Sequence, residues 1–514
     1  MDASSIAEYQ QLHPWMGSRA PPDIHESFTV ERYNRVMHRR LAAKQGQLRS
    51  LLLLTGASGL TMSGSPVIVD ALGAAFYALK LNWLIPIPYL LLHNIGAQLV
   101  EEKDVIIDVG GITANRDQLD DKTLTFTIVT RGFNILTVEK TVASVRHWVR
   151  RVAERHGLSI NHSVWVVTEQ DAYDAFQERY DELERLGATL VIVPPDYETP
   201  GGTKFKARAL QFAAEERRRL GLNGENDWVY HQDEETVVGE DTILGLLDFI
   251  SRASPDIKYG AGVILYPRHW EDNVTAYEEL PRSFTDYSLS GQGNLKQFGL
   301  FWYHGSHFLV RADVEESVGW DFGPVRSEDY IFSIKMRERY GRCMSPMKGF
   351  AYECPPFSVK DHLKQRRRWV LGNMEIMQRR DIPARHKARL LYGLVSWFSA
   401  IPSLLAFLLS IVYPTGGMGL LGGLTTGIVW YTIVNTYVSG YDMHRDYVEK
   451  KHRGVTGAAK TVLNIMVGLL VEAVAPWYAL LRRTQSFETI AKDKEPPIRA
   501  AELTKEYTVQ VPTR

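Results

Sequence analysis

Apolar positions fall into blocks separated by ordinary mixed sequence. Residues 50–100 carry two charges, Asp70 and Lys80, which leaves room for two membrane crossings of about 20 residues each. Gly64-Ser65-Pro66 predicts the turn between them, and Pro86 and Pro88 predict a kink in the second helix. After residue 390 the chain turns apolar again. Segments 390–413 and 418–438 are each long enough to span, with Pro414-Thr415-Gly416-Gly417 between them. A last apolar segment, 461–481, contains Glu472 and Pro476. These interruptions predict a re-entrant or interfacial hairpin rather than a crossing.

Between 101 and 390 the pattern changes to short apolar runs alternating with helical periodicity. Runs 124–130, 163–168, 188–193 and 227–231 read as strands, and 138–152, 205–220 and 241–251 as helices. That alternation predicts an α/β domain built on a doubly wound, mostly parallel sheet, flanked by α-helical transmembrane segments. Ligands of such sheets sit at the carboxyl ends of strands, where Thr130, Arg131, Glu169 and Asp233 fall. The expected organisation is a cytosolic N-terminal segment (1–48), two transmembrane helices (49–100), a cytosolic catalytic domain (101–390), transmembrane and re-entrant helices (391–482) and a cytosolic tail (483–514).

Charge refines this picture. The formal net charge is -1 and the isoelectric point near 7.0, which argues against a nucleic-acid binder. Basic residues cluster beside the apolar blocks, at Arg32, Arg35, Arg39, Arg40, Lys44 and Arg49 and again at Arg445, Lys450, Lys451, Arg453 and Lys460. The positive-inside rule places both clusters, and the domain between them, on the cytosolic side. Residues 1–45 are too polar to read as a secretory signal. Cys343 and Cys354 lack metal-ligand spacing and read as reduced thiols.

Five motifs carry candidate chemistry. Asp233-Glu234-Glu235 ends a strand, so Asp233 and Glu235 can present oxygens to Mn²⁺ or Mg²⁺, which would bridge nucleotide phosphates. An acidic helix N-terminus is the alternative. Lys206, in a helix that opens after Gly201-Gly202, suits a diphosphate. Glu328-Asp329 opens another helix; Asp329 can act as general base, or Ser327 and the two carboxylates can cap the helix. In 365–369, Gln365, Arg368 and Trp369 share a helix face. Arg368 offers a fork to diphosphate oxygens and Trp369 a wall to an acceptor. Arg366 and Arg367 would equally suit a basic helix resting on lipid headgroups. Gly305 and Ser306 lie in a small turn among aromatic residues that a sugar could approach closely.

Together these residues resemble glycosyltransferase family 2, the inverting GT-A enzymes that include cellulose, chitin and hyaluronan synthases. Segments 129–132, 205–210, 231–236, 328–329, 365–372 and 382–387 are similar to the Egghead-type β-1,4-mannosyltransferases of animals. The resemblance implies a GT-A fold and single-displacement transfer from a nucleotide sugar. It also implies Asp329 as base, Asp233 and Glu235 at a Mn²⁺ or Mg²⁺ ion, and donor contacts from Thr130, Arg131, Glu169, Lys206, Asp233, Gln365 and Arg368. Gly305, Ser306, Glu328 and Trp369 would then face the acceptor. The implied partners are GDP-mannose, a lipid-linked or glycan acceptor and a membrane, that of the endoplasmic reticulum or Golgi or the plasma membrane. Residues 486–492 resemble the gating loop of polymerising synthases, which keeps a processive polysaccharide synthase open. A non-catalytic membrane scaffold is the third reading. The N-terminus is longer, and residues 101–121 differ from the Egghead-type pattern.

Overall fold

The computed structural model describes residues 26–63, 79, 81–132, 134–267, 274–293, 304–412, 419–448 and 455–482. Eight strands form one mixed sheet: β1 (Thr123–Val129), β2 (Asn161–Glu169), β3 (Ala188–Val193), β4 (Asp227–Asp233), β5 (Val237–Val238), β6 (Tyr259–Leu265), β7 (Phe308–Arg311) and β8 (Met344–Tyr352). Their order is β3-β2-β1-β4-β7-β6-β8-β5. The first four run parallel, as the alternating pattern predicts, while β7 lies antiparallel between β4 and β6. β6 also pairs parallel with β8, so the sheet is mixed, with β5 and β7 running against the other six strands. β7 is fed by the long excursion after β6, whereas a right-handed βα crossover would have returned it parallel.

Residues along β2 alternate between faces. Val164 and Val166 join one buried cluster, Trp165 and Val167 the other, so both faces are covered. Helices α3 (Ile135–His156) and α5 (Glu240–Arg252) pack in the first cluster; α4 (Phe205–Arg219) and α7 (Glu328–Tyr340) pack in the second. Both cysteines are buried, and neither is in a disulfide. In register, Val129 pairs with both Val167 and Asp233, so β1, β2 and β4 end at one edge.

The apolar blocks differ from expectation in four places. Helix α1 (Val30–Ser63) runs unbroken through the anticipated boundary at 48/49. The second expected crossing is α2 (Ile87–Leu99), only 13 residues long, or about 20 Å at 1.5 Å per residue. Pro86 caps it and Pro88 lies in its first turn, so the prolines start this helix instead of kinking it. It packs on α6 (Leu280–Gln292): a Cβ on Gly291 would lie 1.9 Å from the carbonyl of Gly96. Gly64-Ser65-Pro66 lies outside the described residues.

Among the described residues, two stretches are long and apolar enough to cross a membrane, Ala384–Ala406 and Ala459–Leu481. The first joins α9 (Ala384–Phe398) to α10 (Ala400–Val412). Helix α11 (Gly419–His444) falls short of that test and packs along α1, with Gly427 against the backbone of Thr55.

The fourth difference is α12 (Val455–Leu481), a continuous helix where a hairpin is expected. Pro476 has no N–H for the carbonyl of Glu472. The indole of Trp397 donates to that carbonyl instead, at 3.1 Å. The Glu472 carboxylate accepts from Arg366 Nε at 2.9 Å and from His362 Nε2 at 3.0 Å. Both interruptions are satisfied by neighbouring helices, so the backbone has no reason to turn back.

Candidate active site

The aligned strand ends deliver the first group of residues. Thr130 Oγ1 donates to Glu234 at 2.6 Å, Asn134 donates to the same carboxylate, and Thr141 Oγ1 donates to the Glu234 carbonyl at 2.7 Å. Glu234 is thus held against β1, and the flanking Asp233 and Glu235 line a cavity of about 1620 Å³. Thr130, Arg131 and Glu169 line it too; Glu169 is ion-paired with Arg208. Burial, outweighing Arg208, raises the Glu169 carboxyl above its ordinary range.

Lys206 arrives from the start of α4. Its ammonium pairs with Asp233 and donates to the Gly305 carbonyl at 2.5 Å. Burial works to lower its pKa, but Asp233, Glu328 and Asp329 together raise it above the ordinary value. A Cβ placed on Gly305 would lie 3.6 Å from Lys206 Nζ, 3.6 Å from Asp329 Oδ2 and 4.0 Å from Asp233 Oδ2. Three motifs from different elements, the start of α4, the end of β4 and the first turn of α7, therefore converge on one glycine. Among the described residues, the two non-glycine positions with positive φ are Phe205 (62°) and His307 (54°). They flank Lys206 and the Gly305 turn, so backbone strain is concentrated beside this point.

Glu328 and Asp329 occupy the first turn of α7, where the helix dipole favours carboxylates. Ser327 precedes them but makes no side-chain cap, so that part of the capping alternative is not realised. Burial, and next the charge of Asp329, push the Glu328 carboxyl up to about 7.

Helix α8 (Val359–Gln378) brings Gln365, Arg368 and Trp369 to the same cavity. Arg366 is 2% exposed. It pairs with Glu279 at 3.2 Å and with Glu472, and lies 4.2 Å over the Trp369 ring. Arg367 is also buried and donates to the Arg482 carbonyl at 3.0 Å. Neither rests on lipid headgroups; protein carboxylates and carbonyls take up their charge and donors. Ser306 is likewise corrected as an acceptor contact. It is 1% exposed, hydrogen-bonds Thr236 at 2.6 Å and accepts from the Asp233 amide at 3.2 Å, so it braces the strand end. Gly305 remains on the cavity wall.

Among the described residues, no three His, Cys, Asp or Glu side chains group as a metal cage. Two carboxylates on the cavity wall fit an ion whose other ligands are substrate phosphates and water, the usual mode for Mg²⁺.

Residues 228–441 match the family described as glycosyl transferase family group 2. Those residues carry a glycosyltransferase family 2 domain. The chain is 28% identical over 313 residues to the β-1,4-mannosyltransferase egh of Drosophila melanogaster, covering 59% of this chain and 66% of that protein. It is 28% identical over 316 residues to the β-1,4-mannosyltransferase bre-3 of Caenorhabditis elegans, covering 59% and 67%. The chain thus spans about two thirds of the length of the curated relatives it matches. Among solved structures it is similar to mannosyl-3-phosphoglycerate synthase from Rubrobacter xylanophilus, at 14% identity and a TM-score of 0.33, covering 52% of this chain and 78% of that one. A Mycobacterium tuberculosis glucosyl-3-phosphoglycerate synthase with Mn²⁺ and UDP-glucose gives 13% identity and a TM-score of 0.30, covering 50% and 78%.

In this glycosyltransferase, sequence reasoning missed Arg282. Its guanidinium lies 5.4 Å over Trp369, so that ring has Arg282 and Arg366 as cation–π partners. It also missed Glu353, a cavity residue that accepts from Thr236 at 2.9 Å, and the buried cluster of Glu278, Glu279 and His362. No motif marks these positions; their partners lie 80 or more residues away in several cases. Trp302 and Tyr303, named with Gly305 as an aromatic turn, lie outside the described residues, as do 486–492.

Proposed function

We propose that this glycosyltransferase is membrane-integral, with its catalytic domain at the cytosolic face, and transfers a sugar from a nucleotide-sugar donor to an acceptor hydroxyl with inversion. The observation that carries the reading is the convergence of Asp233, Lys206 and Asp329 on Gly305. Asp329 takes the acceptor proton as the acceptor oxygen bonds to the anomeric carbon, and the bond from that carbon to the diphosphate oxygen breaks. Lys206 and Arg368 face the charge that develops on the diphosphate. Gln365, Thr130, Arg131 and Glu169 orient the donor, and Gly305, Glu328 and Trp369 the acceptor. Asp233 and Glu235 would hold Mn²⁺ or Mg²⁺, which would neutralise diphosphate charge when bound.

Mannose from GDP-mannose, added in β linkage, is the donor reading favoured by the two mannosyltransferase relatives. A lipid-linked or glycan acceptor is favoured by the shape of the cavity. From Asp233 and Asp329 it continues to Trp397, Leu404, Trp430 and Met466, on the helices that follow the domain. The same continuity supports a processive synthase as the second reading, the growing glycan occupying that passage.

Nucleotide release by the detergent-purified full chain, with Mn²⁺ or Mg²⁺, tests both. Release from GDP-mannose alone, lost in Asp233→Asn, supports mannosyl transfer. Release from a UDP-sugar with a long product favours the synthase. Donor binding without turnover on any acceptor would leave the scaffold reading standing.

A further inference from the structure

A second concavity, of about 280 Å³, lies where the end of α7 meets the start of α9. Its walls include Arg337, Glu338, Arg342, Arg385, His386 and Arg389. Four guanidiniums against one carboxylate give a formal charge of +3 with His386 neutral (4 − 1). That carboxylate is already engaged: Glu338 pairs with Arg385 and accepts from His386 Nε2 at 2.7 Å. Burial, reinforced by the like charges of Arg389 and Arg342, lowers the pKa of Arg337. The cluster is strongly positive and compressed.

Its position on the helix compounds this. Arg385 and His386 lie in the first turn of α9 and Arg389 follows in the next, with no acidic residue in that first turn. Pro383, at the cap position, supplies no side-chain acceptor. The helix dipole disfavours cations there and favours an anion, so a bound anion would relieve both the mutual repulsion and the dipole penalty. The same helix opens the stretch Ala384–Ala406, which is long and apolar enough to cross a membrane, and beyond Arg389 it leaves Leu391 and Val395 exposed. A cationic pocket thus stands at the foot of an exposed apolar helix face. Segment 382–387, which the transfer chemistry leaves unused, supplies its lower wall.

We propose that this pocket binds the phosphate headgroup of an anionic membrane lipid, whose acyl chains lie along the exposed face of α9. Charge complementarity commits it to an anionic head, and the adjoining Leu391 and Val395 to an amphiphile. The inference does not depend on which sugar the enzyme moves.

Native mass spectrometry of the detergent-purified full chain, with phosphatidylglycerol or phosphatidylcholine added, tests it. Arg342 and Arg385 are exposed and border only this pocket of the two. Wild type should retain phosphatidylglycerol several-fold better than phosphatidylcholine, and Arg342→Gln with Arg385→Gln should abolish the preference. Glu338→Gln, which removes the one negative charge, should strengthen it; two variants moving in opposite directions separate binding from misfolding. Equal retention of both lipids by wild type, or loss in both variants, would overturn the proposal. Inorganic phosphate that raises the thermal midpoint as much as phosphatidylglycerol does would overturn the lipid assignment in favour of a soluble phosphate.

Discussion

Arg366 Nε donates to the Glu472 carboxylate at 2.9 Å, joining the helix of Gln365, Arg368 and Trp369 to α12. Arg366 is also the cation that stacks on Trp369. The orientation of a cavity-wall indole is therefore tied, through Arg366, to a carboxylate on α12.

Removing Glu472 leaves Arg366 paired with Glu279, at 3.2 Å. Glu472→Leu should destabilise the protein by about 3 kcal/mol, as expected when one partner of a buried ion pair is lost. Glu472→Asp should recover part of it. The thermal midpoint in detergent measures both, and an unchanged midpoint in Glu472→Leu would remove the pair from the stability account.

Asp329→Asn should lower turnover about 10²- to 10⁴-fold, the range for a lost general base. Donor affinity measured by calorimetry should stay close to wild type. Lys206→Gln should do the reverse in part, weakening donor binding by about 1–3 kcal/mol as a charge-assisted contact disappears. If Asp329→Asn turned over normally, another group would have to take the proton.

The Glu328 carboxyl sits at about 7 in the fold because of burial and Asp329, against an ordinary 4.5. The folded state therefore holds a proton that the unfolded chain has released between those two values. Stability from this group is full below about 4.5 and is lost as pH rises through 7. Relative to Glu328→Gln, wild type should thus become progressively less stable between pH 4.5 and 7 and level off above. Parallel pH–denaturant titrations of the two proteins measure this; a difference that grows in the opposite direction would refute the assignment.

A Cβ on Gly372 would lie 2.1 Å from Ser327 Oγ, where α8 meets the entry to α7. Gly372→Ala should cost about 1–3 kcal/mol by overpacking and should lower turnover by shifting Glu328 and Asp329 against Arg368. Adding Ser327→Ala removes the clashing oxygen and should restore most of both. No recovery in the double variant would mean that the strain lies elsewhere.

Much of the site was legible because its parts are local. Asp233 ends a strand, Glu328-Asp329 opens a helix, and Gln365, Arg368 and Trp369 share a helical face; each is a short-range pattern of charge and period. The four parallel strands were legible for the same reason. Ser306, Arg366 and Arg367 were misplaced because the direction of a side chain depends on its partners. Thr236 hydrogen-bonds Ser306, Glu279 and Glu472 pair with Arg366, and the Arg482 carbonyl accepts from Arg367.

The apolar segments divide in the same way. Length and composition mark 384–406 and 459–481 as able to cross a membrane, the second where the sequence pattern predicts a hairpin. That 87–99 packs on α6, through Gly96 meeting Gly291, is decided by the tertiary arrangement. Whether Glu472 and Pro476 break a helix is decided by Trp397, Arg366 and His362. A local sequence specifies its own period and charge. The partner that satisfies a missing N–H or a buried carboxylate comes from distant chain, and only the folded arrangement supplies it.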